Sequence, residues 1–506
     1  MNACTLTNKP KVIISFLIIF FIGLGIRLFY FPFDLPLVAD AVGYFTYATA
    51  VNYYGYLPLE GSPANNGWPI FLSFWFSIIN LDDTLQYMQL QRIISIILSS
   101  LIAIPVYVLC RKFFDEKIAL VGAALFAFDP RIILNSLLGI GEPLFILLSI
   151  TSLLFFLRYR NKEIIISFVL ASFATIVRSE AVFLFFALTI LFFIKYRFSK
   201  EILKTYVPAL VIFFLILTPI MIYKMEVNGN DAIFQRVAVG SVQIVSNASQ
   251  EGTDKIVGGL ELFLKYLGWI MIPNFLIFVP FGIIQFFRKR TKETNFIGVV
   301  LIASSLPILY GYISQAQDTR YLYVLYPMFC LISLFAVKRY ISKITRKDIV
   351  IMLIIIGIFT SSIVFYEFKK MDYEKEREFN EIGKSVSKII TSKTVSGLNY
   401  HPDEINYIRV SEVPNEWPFL FVDGFKVKTI PAHNYQNLND LISNSKGELT
   451  HLIIDKNSQL PEFLTEIYHD EVKYEYLTKV FDSKEHGYNH HMMLFEINFE
   501  KFDSVD

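Results

Sequence analysis

Apolar runs long enough to cross a lipid bilayer recur through the first 369 residues of this chain. The runs fall at 11–31, 86–110, 117–134, 136–157, 163–177, 180–196, 203–223, 258–287, 294–313, 321–337 and 348–367. About 20 such residues in a helix span ~30 Å of hydrocarbon, where every backbone amide must find its partner within the segment. A mean hydropathy of +0.48 agrees with that solvent. The expectation is a polytopic α-helical membrane protein of about 11 transmembrane helices, with 117–157 and 163–196 open to other divisions. Segment 68–80 is too short to cross and reads as an interfacial or re-entrant element.

The character of the chain changes near residue 370. Residues 1–369 read as a transmembrane domain and 370–506 as a separate soluble domain that carries all seven histidines. A formal net charge of +1 averages these unlike parts and says little about partners. The three cysteines, Cys4, Cys110 and Cys330, give no disulfide framework, and the polar domain has none. The first apolar run ends in RLFYFPFD with no small-residue cleavage site, so it reads as a retained span.

Charge assigns the sides. Alternate connections carry basic clusters at 9–11, 111–117, 158–162, 195–204, 288–292 and 338–347. The opposite set holds only Arg131, Arg178, Lys224, Arg236, Lys255 and Arg320. Residues 32–84 contain no Lys or Arg but carry Asp34, Asp40, Glu60, Asp82 and Asp83. The positive-inside rule then places the N-terminus in the cytoplasm, and the 32–84 loop and C-terminal domain outside. Basic residues in the rich loops serve topology; those on the sparse side are candidates for chemistry.

On that outer side, ADAVGYFTYATAVNYYGY has helical spacing, with Asp40, Tyr44, Tyr47, Val51 and Tyr54 on one face. The aromatic stripe is either an interface anchor or a substrate-binding surface. Asp40 is either a helix N-cap or a carboxylate able to take a proton from an acceptor hydroxyl. NNGWPIFLSFW follows, with Trp68 in a Gly-Trp-Pro turn. Glu142 in GIGEPLF, Arg178 and Glu180 in VRSEA, and Asp318, Arg320, Tyr321 and Tyr323 in DTRYLYVLYP all emerge on the same side. Each has a bland reading as a cap, loop ion pair or snorkelling end residue. Their convergence suits a phosphate held by arginine forks, with carboxylates for a sugar or an acceptor hydroxyl.

Taken together, DAVGY (40–44), GWP (67–69), GEPLF (141–145), VRSEA (177–181) and RYLYVLYP (320–327) resemble the GT-C superfamily of polyprenyl-phosphate-sugar-dependent glycosyltransferases. The likeness is to the protein O-mannosyltransferase and aminoarabinose-transferase-like branch and covers about residues 10–370. It implies a GT-C-like fold and transfer of a hexose or pentose from a polyprenyl-phosphate donor to an acceptor hydroxyl, with inversion. It further implies Asp40 and Glu142 as catalytic residues and Arg178, Arg320 and Tyr321 as lipid-phosphate ligands. Tyr44, Tyr47, Trp68 and Glu180 become substrate-binding residues. Implied partners are the lipid-linked donor, a protein, lipid or glycan acceptor, and membrane lipids, with no nucleic acid. Ala41 stands where many relatives have Glu, so neither a two-carboxylate mechanism nor a divalent metal held by such a pair follows; no cofactor is assigned. No W-W-D-Y-G-like motif follows the membrane region, which argues against an oligosaccharyltransferase.

The C-terminal domain is expected to be α/β, with strands at 420–430, 451–455 and 492–499 and helices at 377–390 and 459–468. KEHGYNHH (His486, His490, His491) reads as a loop rather than a metal site, and Asn247-Ala-Ser249 as a lone glycosylation sequon. A transporter or lipid flippase is the alternative class, and a membrane scaffold with an outer sensor domain a third. No internal repeat supports the transporter, and Arg27 and Arg92 are the main charges deep in spans.

Overall fold

The computed structural model describes residues 10–38, 40–59, 61–81, 84–197, 200, 202–235, 250–288, 291–314, 316–369, 373–394, 406–411, 421–422, 425–430, 432–445, 449–455, 460–470 and 473–505. Cys4, Glu60, Asp82, Asp83, Arg236, His401 and the Asn247–Ser249 sequon lie outside the described residues. Contacts divide the chain into two units: Met1–Pro32, Gly43–Asn80 and Leu90–Lys370; and Phe33–Val42, Leu81–Gln89 and Met371–Asp506.

The helical region runs α1 (Pro10–Phe29), α2 (Asp40–Tyr54), α3 (Gly67–Ile78), α4 (Thr84–Leu101), α5 (Ala103–Arg111), α6 (Glu116–Ala127), α7 (Pro130–Leu137) and α8 (Glu142–Phe156). It continues with α9 (Asn161–Val177), α10 (Val182–Tyr196), α11 (Val207–Asn228), α12 (Gln250–Met271), α13 (Phe275–Arg288), α14 (Lys292–Ile313), α15 (Tyr326–Ile341) and α16 (Lys347–Lys369). Among the described residues, seven helical stretches are long and apolar enough to cross a membrane, and two bent pairs bring the number to nine.

The difference from about 11 expected spans lies at two bends and at two short helices, α8 with 15 residues and α9 with 17. The expected span 117–134 bends by 47° between α6 and α7, where the Asp129 carboxylate accepts the N–H groups of Arg131 and Ile132 and Pro130 begins the next helix. The run 136–157 is interrupted at Gly139–Gly141, so α8 starts only at Glu142. The run 258–287 turns through 112° between α12 and α13, where Pro273 has no amide hydrogen to continue a helix. Segment 68–80 forms α3, twelve residues and too short to cross, as expected.

Arg27 is buried inside α1 and donates to Gly23 O and Ala127 O, both at 2.8 Å, and to Ser99 Oγ at 3.3 Å. Ala127 O is one of the carbonyls left open where α6 ends. The charge deep in the first span thus answers the bend between α6 and α7.

The second unit holds α17 (Glu374–Thr394), β1 (Asn406–Ser411), β2 (Phe421–Val422), β3 (Phe425–Ile430), α18 (Leu438–Asn444), β4 (Leu449–Asp455), α19 (Glu462–His469), β5 (Leu477–Asp482), β6 (Met492–Ile497) and α20 (Phe499–Val505). Sheet order is β2-β3-β1-β4-β6-β5, with β1 parallel to β3 and β4 and the other pairings antiparallel. Both faces of β4 are buried, so its consecutive residues go to opposite cores. Leu452 and Ile454 pack in one cluster with Leu441 and Ile467; Ile453 packs in the other with Phe379 and Ile382. Residues 33–42 join this unit through Arg377 Nε, which donates to Asp34 at 2.6 Å. His490 and Asp455 form a buried pair at 2.9 Å, while His491 contacts Asp482 at 3.1 Å and Tyr468 at 2.7 Å.

Candidate active site

The helix ends fix the site. Glu142 is the first residue of α8, after Gly141 and before Pro143. Arg178 follows α9 in extended conformation (φ −148°, ψ 121°), its N–H still bonded to Ala174 O at 2.8 Å; a 3₁₀ turn, Ser179–Ala181, leads into α10. This break swings the Arg178 side chain across to α8. Its Nη1 donates to Glu142 at 2.6 Å and its Nη2 to Glu180 at 3.0 Å. The guanidinium also lies 5.5 Å from the Tyr321 ring centre and 5.9 Å from that of Phe145. Burial works against its charge, but Glu180 and Glu142 outweigh burial and hold it above the ordinary arginine range.

Asp318 Oδ1 accepts the Arg320 amide at 2.8 Å and its Oδ2 accepts Arg320 Nε at 2.5 Å, which opens the 3₁₀ turn Thr319–Leu325 before α15. Glu142, Arg178, Glu180, Arg320 and Tyr321 all line one cavity of about 640 Å³. Beyond them the lining is mostly apolar. Glu142, Phe145, Ile146, Ser149, Ile150 and Leu153 line it along one face of α8, and Val300, Ser304 and Ile308 of α14 contribute as well. At 1.5 Å per residue, Leu153 lies about 16 Å along the helix from Glu142. The arrangement has a charged head with guanidinium forks and carboxylates, and an apolar depth.

The Gly-Trp-Pro turn supports this head. A Cβ on Gly67 would lie 2.5 Å from Val177 N, the residue before Arg178. A Cβ on Gly141 would lie 2.9 Å from Trp68 Cβ. Trp68 is buried and its indole N–H donates to Gly139 O at 3.1 Å. Asn65 Oδ1 accepts the Ser179 N–H at 3.1 Å. Only because residues 67 and 141 lack side chains can the turn press against the backbone beside both Arg178 and Glu142.

Of the nine residues expected in a site, five share the cavity. Tyr44 lies on α2 and is not among the residues that line the cavity. Tyr47 is buried, its hydroxyl 2.7 Å from that of Tyr223 and 3.0 Å from Pro58 O. Trp68 is likewise interior, so the structure gives both of these side chains packing and hydrogen-bonding partners within the protein. Asp40 opens α2 with an exposed side chain and groups with the second unit. Sequence reading missed Asn65 and the α8 face beyond Glu142. The apolar positions at steps of three and four after GEP were the available signal for that face. Among the described residues no group of three or more His, Cys, Asp or Glu side chains is arranged to hold a metal ion.

Comparison with known proteins bears on the fold. A family profile described as dolichyl-phosphate-mannose-protein mannosyltransferase matches residues 73–223. ArnT from Cupriavidus metallidurans, solved bound to undecaprenyl phosphate, is 10% identical with a TM-score of 0.61, over 97% of this chain and 98% of that one. The Archaeoglobus fulgidus oligosaccharyltransferase in its apo form is 11% identical with a TM-score of 0.59, over 88% of this chain and 70% of that one. The archaeal oligosaccharyltransferase AglB from Archaeoglobus fulgidus, solved with an inhibitory peptide and a dolichol-phosphate, is 11% identical with a TM-score of 0.53, over 87% and 69%. No curated protein matches the chain in sequence. The chain has the GT-C fold of these enzymes, as the motifs led one to expect.

Proposed function

We propose that this protein is an integral-membrane glycosyltransferase that moves a sugar from a polyprenyl-phosphate donor to an acceptor hydroxyl on the extracytoplasmic side. The observation that carries the reading is the cavity: charged residues on one rim, apolar walls beyond, within the GT-C fold. A polyprenyl phosphate has the same division into an anionic head and a hydrocarbon tail. The solved relatives hold undecaprenyl phosphate and dolichol-phosphate, and the family profile names a dolichyl-phosphate-mannose enzyme.

In the proposed reaction the acceptor oxygen attacks the anomeric carbon, Asp40 takes the hydroxyl proton, and the bond from that carbon to the phosphate oxygen breaks. The leaving phosphate gains negative charge, which Arg178 and Arg320 offset, with Tyr321 as a further hydrogen-bond donor. A single displacement inverts the anomeric centre. Glu142 and Glu180 aim the Arg178 fork, and Glu142 is the second acid available to the sugar. The Lys- and Arg-free stretch 32–84 supports an outward-facing loop, a cytoplasmic N-terminus and an extracytoplasmic C-terminal domain.

The test is incubation of purified protein with radiolabelled polyprenyl-phosphate sugars and native membranes. Label should leave the lipid and appear on an acceptor. If no donor is consumed across mannosyl, glucosyl and pentosyl lipids, the reading fails.

A further inference from the structure

We propose that Lys224 is a positioning residue for the Arg178–Glu142 cluster, acting through the segment Ser62–Trp68. The inference rests on the reading of that cluster as a phosphate site. Lys224 lies in the last turns of α11 and is buried. Its ammonium donates to Pro63 O at 2.6 Å and to Ser62 Oγ at 3.0 Å. Beside it, Tyr223 Oη donates to Pro58 O at 2.6 Å. The end of α11 therefore grips the loop at two points. The grip reaches further along the loop, since Asn66 Nδ2 donates to the same Ser62 Oγ at 3.3 Å.

The far end of this segment meets the cluster's backbone. Asn65 accepts the Ser179 N–H, Gly67 abuts Val177, and Trp68 abuts Gly141 while its indole bonds Gly139 O. Residues on both sides of Arg178, and the residue before Glu142, thus rest on the segment Ser62–Trp68, whose first two positions Lys224 holds. None of residues 62–68 lines the cavity, so their effect on a ligand passes through the placement of Arg178 and Glu142. An ammonium suits this position because it is a compact charge with three donors, and here it binds a carbonyl and a hydroxyl together. An apolar replacement would leave Pro63 O and Ser62 Oγ without that donor in a half-buried setting and loosen the segment.

The test compares wild-type protein with Lys224→Met, Lys224→Arg and Asn65→Ala, measuring undecaprenyl phosphate affinity, donor KM and kcat. Arg178 binds phosphate before and during transfer, so its displacement weakens ground-state binding. Lys224→Met should raise both the Kd for undecaprenyl phosphate and the donor KM roughly tenfold, with any fall in kcat smaller than the rise in KM. Asn65→Ala should shift the same quantities in the same direction, and Lys224→Arg should restore most of the affinity. A residue that only stabilises the fold would cut the active fraction, lowering kcat while Kd and KM stay put. That pattern, or no change, overturns the proposal. If Lys224→Met yields no folded protein, Asn65→Ala decides on the same criterion. A wild-type protein that binds undecaprenyl phosphate but transfers no sugar refutes the proposed reaction and leaves the Kd comparison to judge Lys224.

Discussion

Arg178 and Glu142 are 36 positions apart in sequence and 2.6 Å apart in space. Helices α8 and α9 pack against each other as an antiparallel pair, so the residue that begins the first meets the residue that follows the second. Their side chains are 17% and 10% exposed, so water screens the pair poorly. The ion pair both closes the hairpin and presents a guanidinium to the cavity.

Arg178→Gln leaves Glu142 and Glu180 facing each other without a cation. Removing one partner of a shielded pair costs about 3 kcal/mol. The variant should unfold at lower temperature in detergent and lose undecaprenyl phosphate binding. Retention of lipid affinity would remove Arg178 from the phosphate site.

Glu180→Gln should act in the opposite sense. Glu180 holds one arm of the same guanidinium at 3.0 Å, and a bound phosphate competes for that arm. Neutralising Glu180 should tighten undecaprenyl phosphate binding by roughly fivefold, measured by titration at constant ionic strength.

Asp40→Asn removes the proposed base and keeps its size. Loss of a general base lowers turnover by ~10²–10⁴-fold. Lipid affinity should stay unchanged, because the head of the cavity is built from other residues. Near-normal turnover would sink the assignment.

Gly67→Ala and Gly43→Ala form a matched pair. The first places a methyl 2.5 Å from Val177 N, a backbone atom that cannot swing aside, whereas nothing lies within 4 Å of the second. Overpacking should cost Gly67→Ala about 1–3 kcal/mol. Gly43→Ala should be neutral or stabilise α2 by up to ~1 kcal/mol. Thermal unfolding of the purified proteins compares them.

Arg27→Met separates stability from binding. Three oxygens lose their donor in the interior, at a cost of about 2–4 kcal/mol. Undecaprenyl phosphate affinity of the folded protein should equal that of wild type. A large affinity loss would show that the α6–α7 bend also shapes the cavity.

Membrane character, the helical class and the α/β character of residues 370–506 were legible because apolar run length and hydrophobic period are local properties. The sequence had singled out the five residues that line the cavity, four as charged side chains near helix ends and Tyr321 as the neighbour of Arg320. What stayed hidden depends on contacts between distant segments. Trp68 and Tyr47 suggested binding surfaces, yet Gly139 O and the Tyr223 hydroxyl, far away in sequence, take up their polar atoms. Breaks at Gly139–Gly141 and Ile272–Asn274 were masked by hydropathy that continues through them. Strands β1 and β5 (Asn406–Ser411 and Leu477–Asp482) carry Arg409 and Lys479 among few apolar residues, which obscured their alternation.

The face of α8 from Glu142 to Leu153 joins a charged rim to an apolar wall. A ligand that satisfies both ends is an amphiphile, and amphiphiles of that kind do not circulate as dissolved monomers. For such a ligand, occupancy follows its mole fraction in the lipid rather than its amount per volume of buffer. Kinetic curves taken at different detergent or lipid loads should superimpose only when plotted against surface density. If the proposed function holds, the cavity turns bilayer composition into a control on rate.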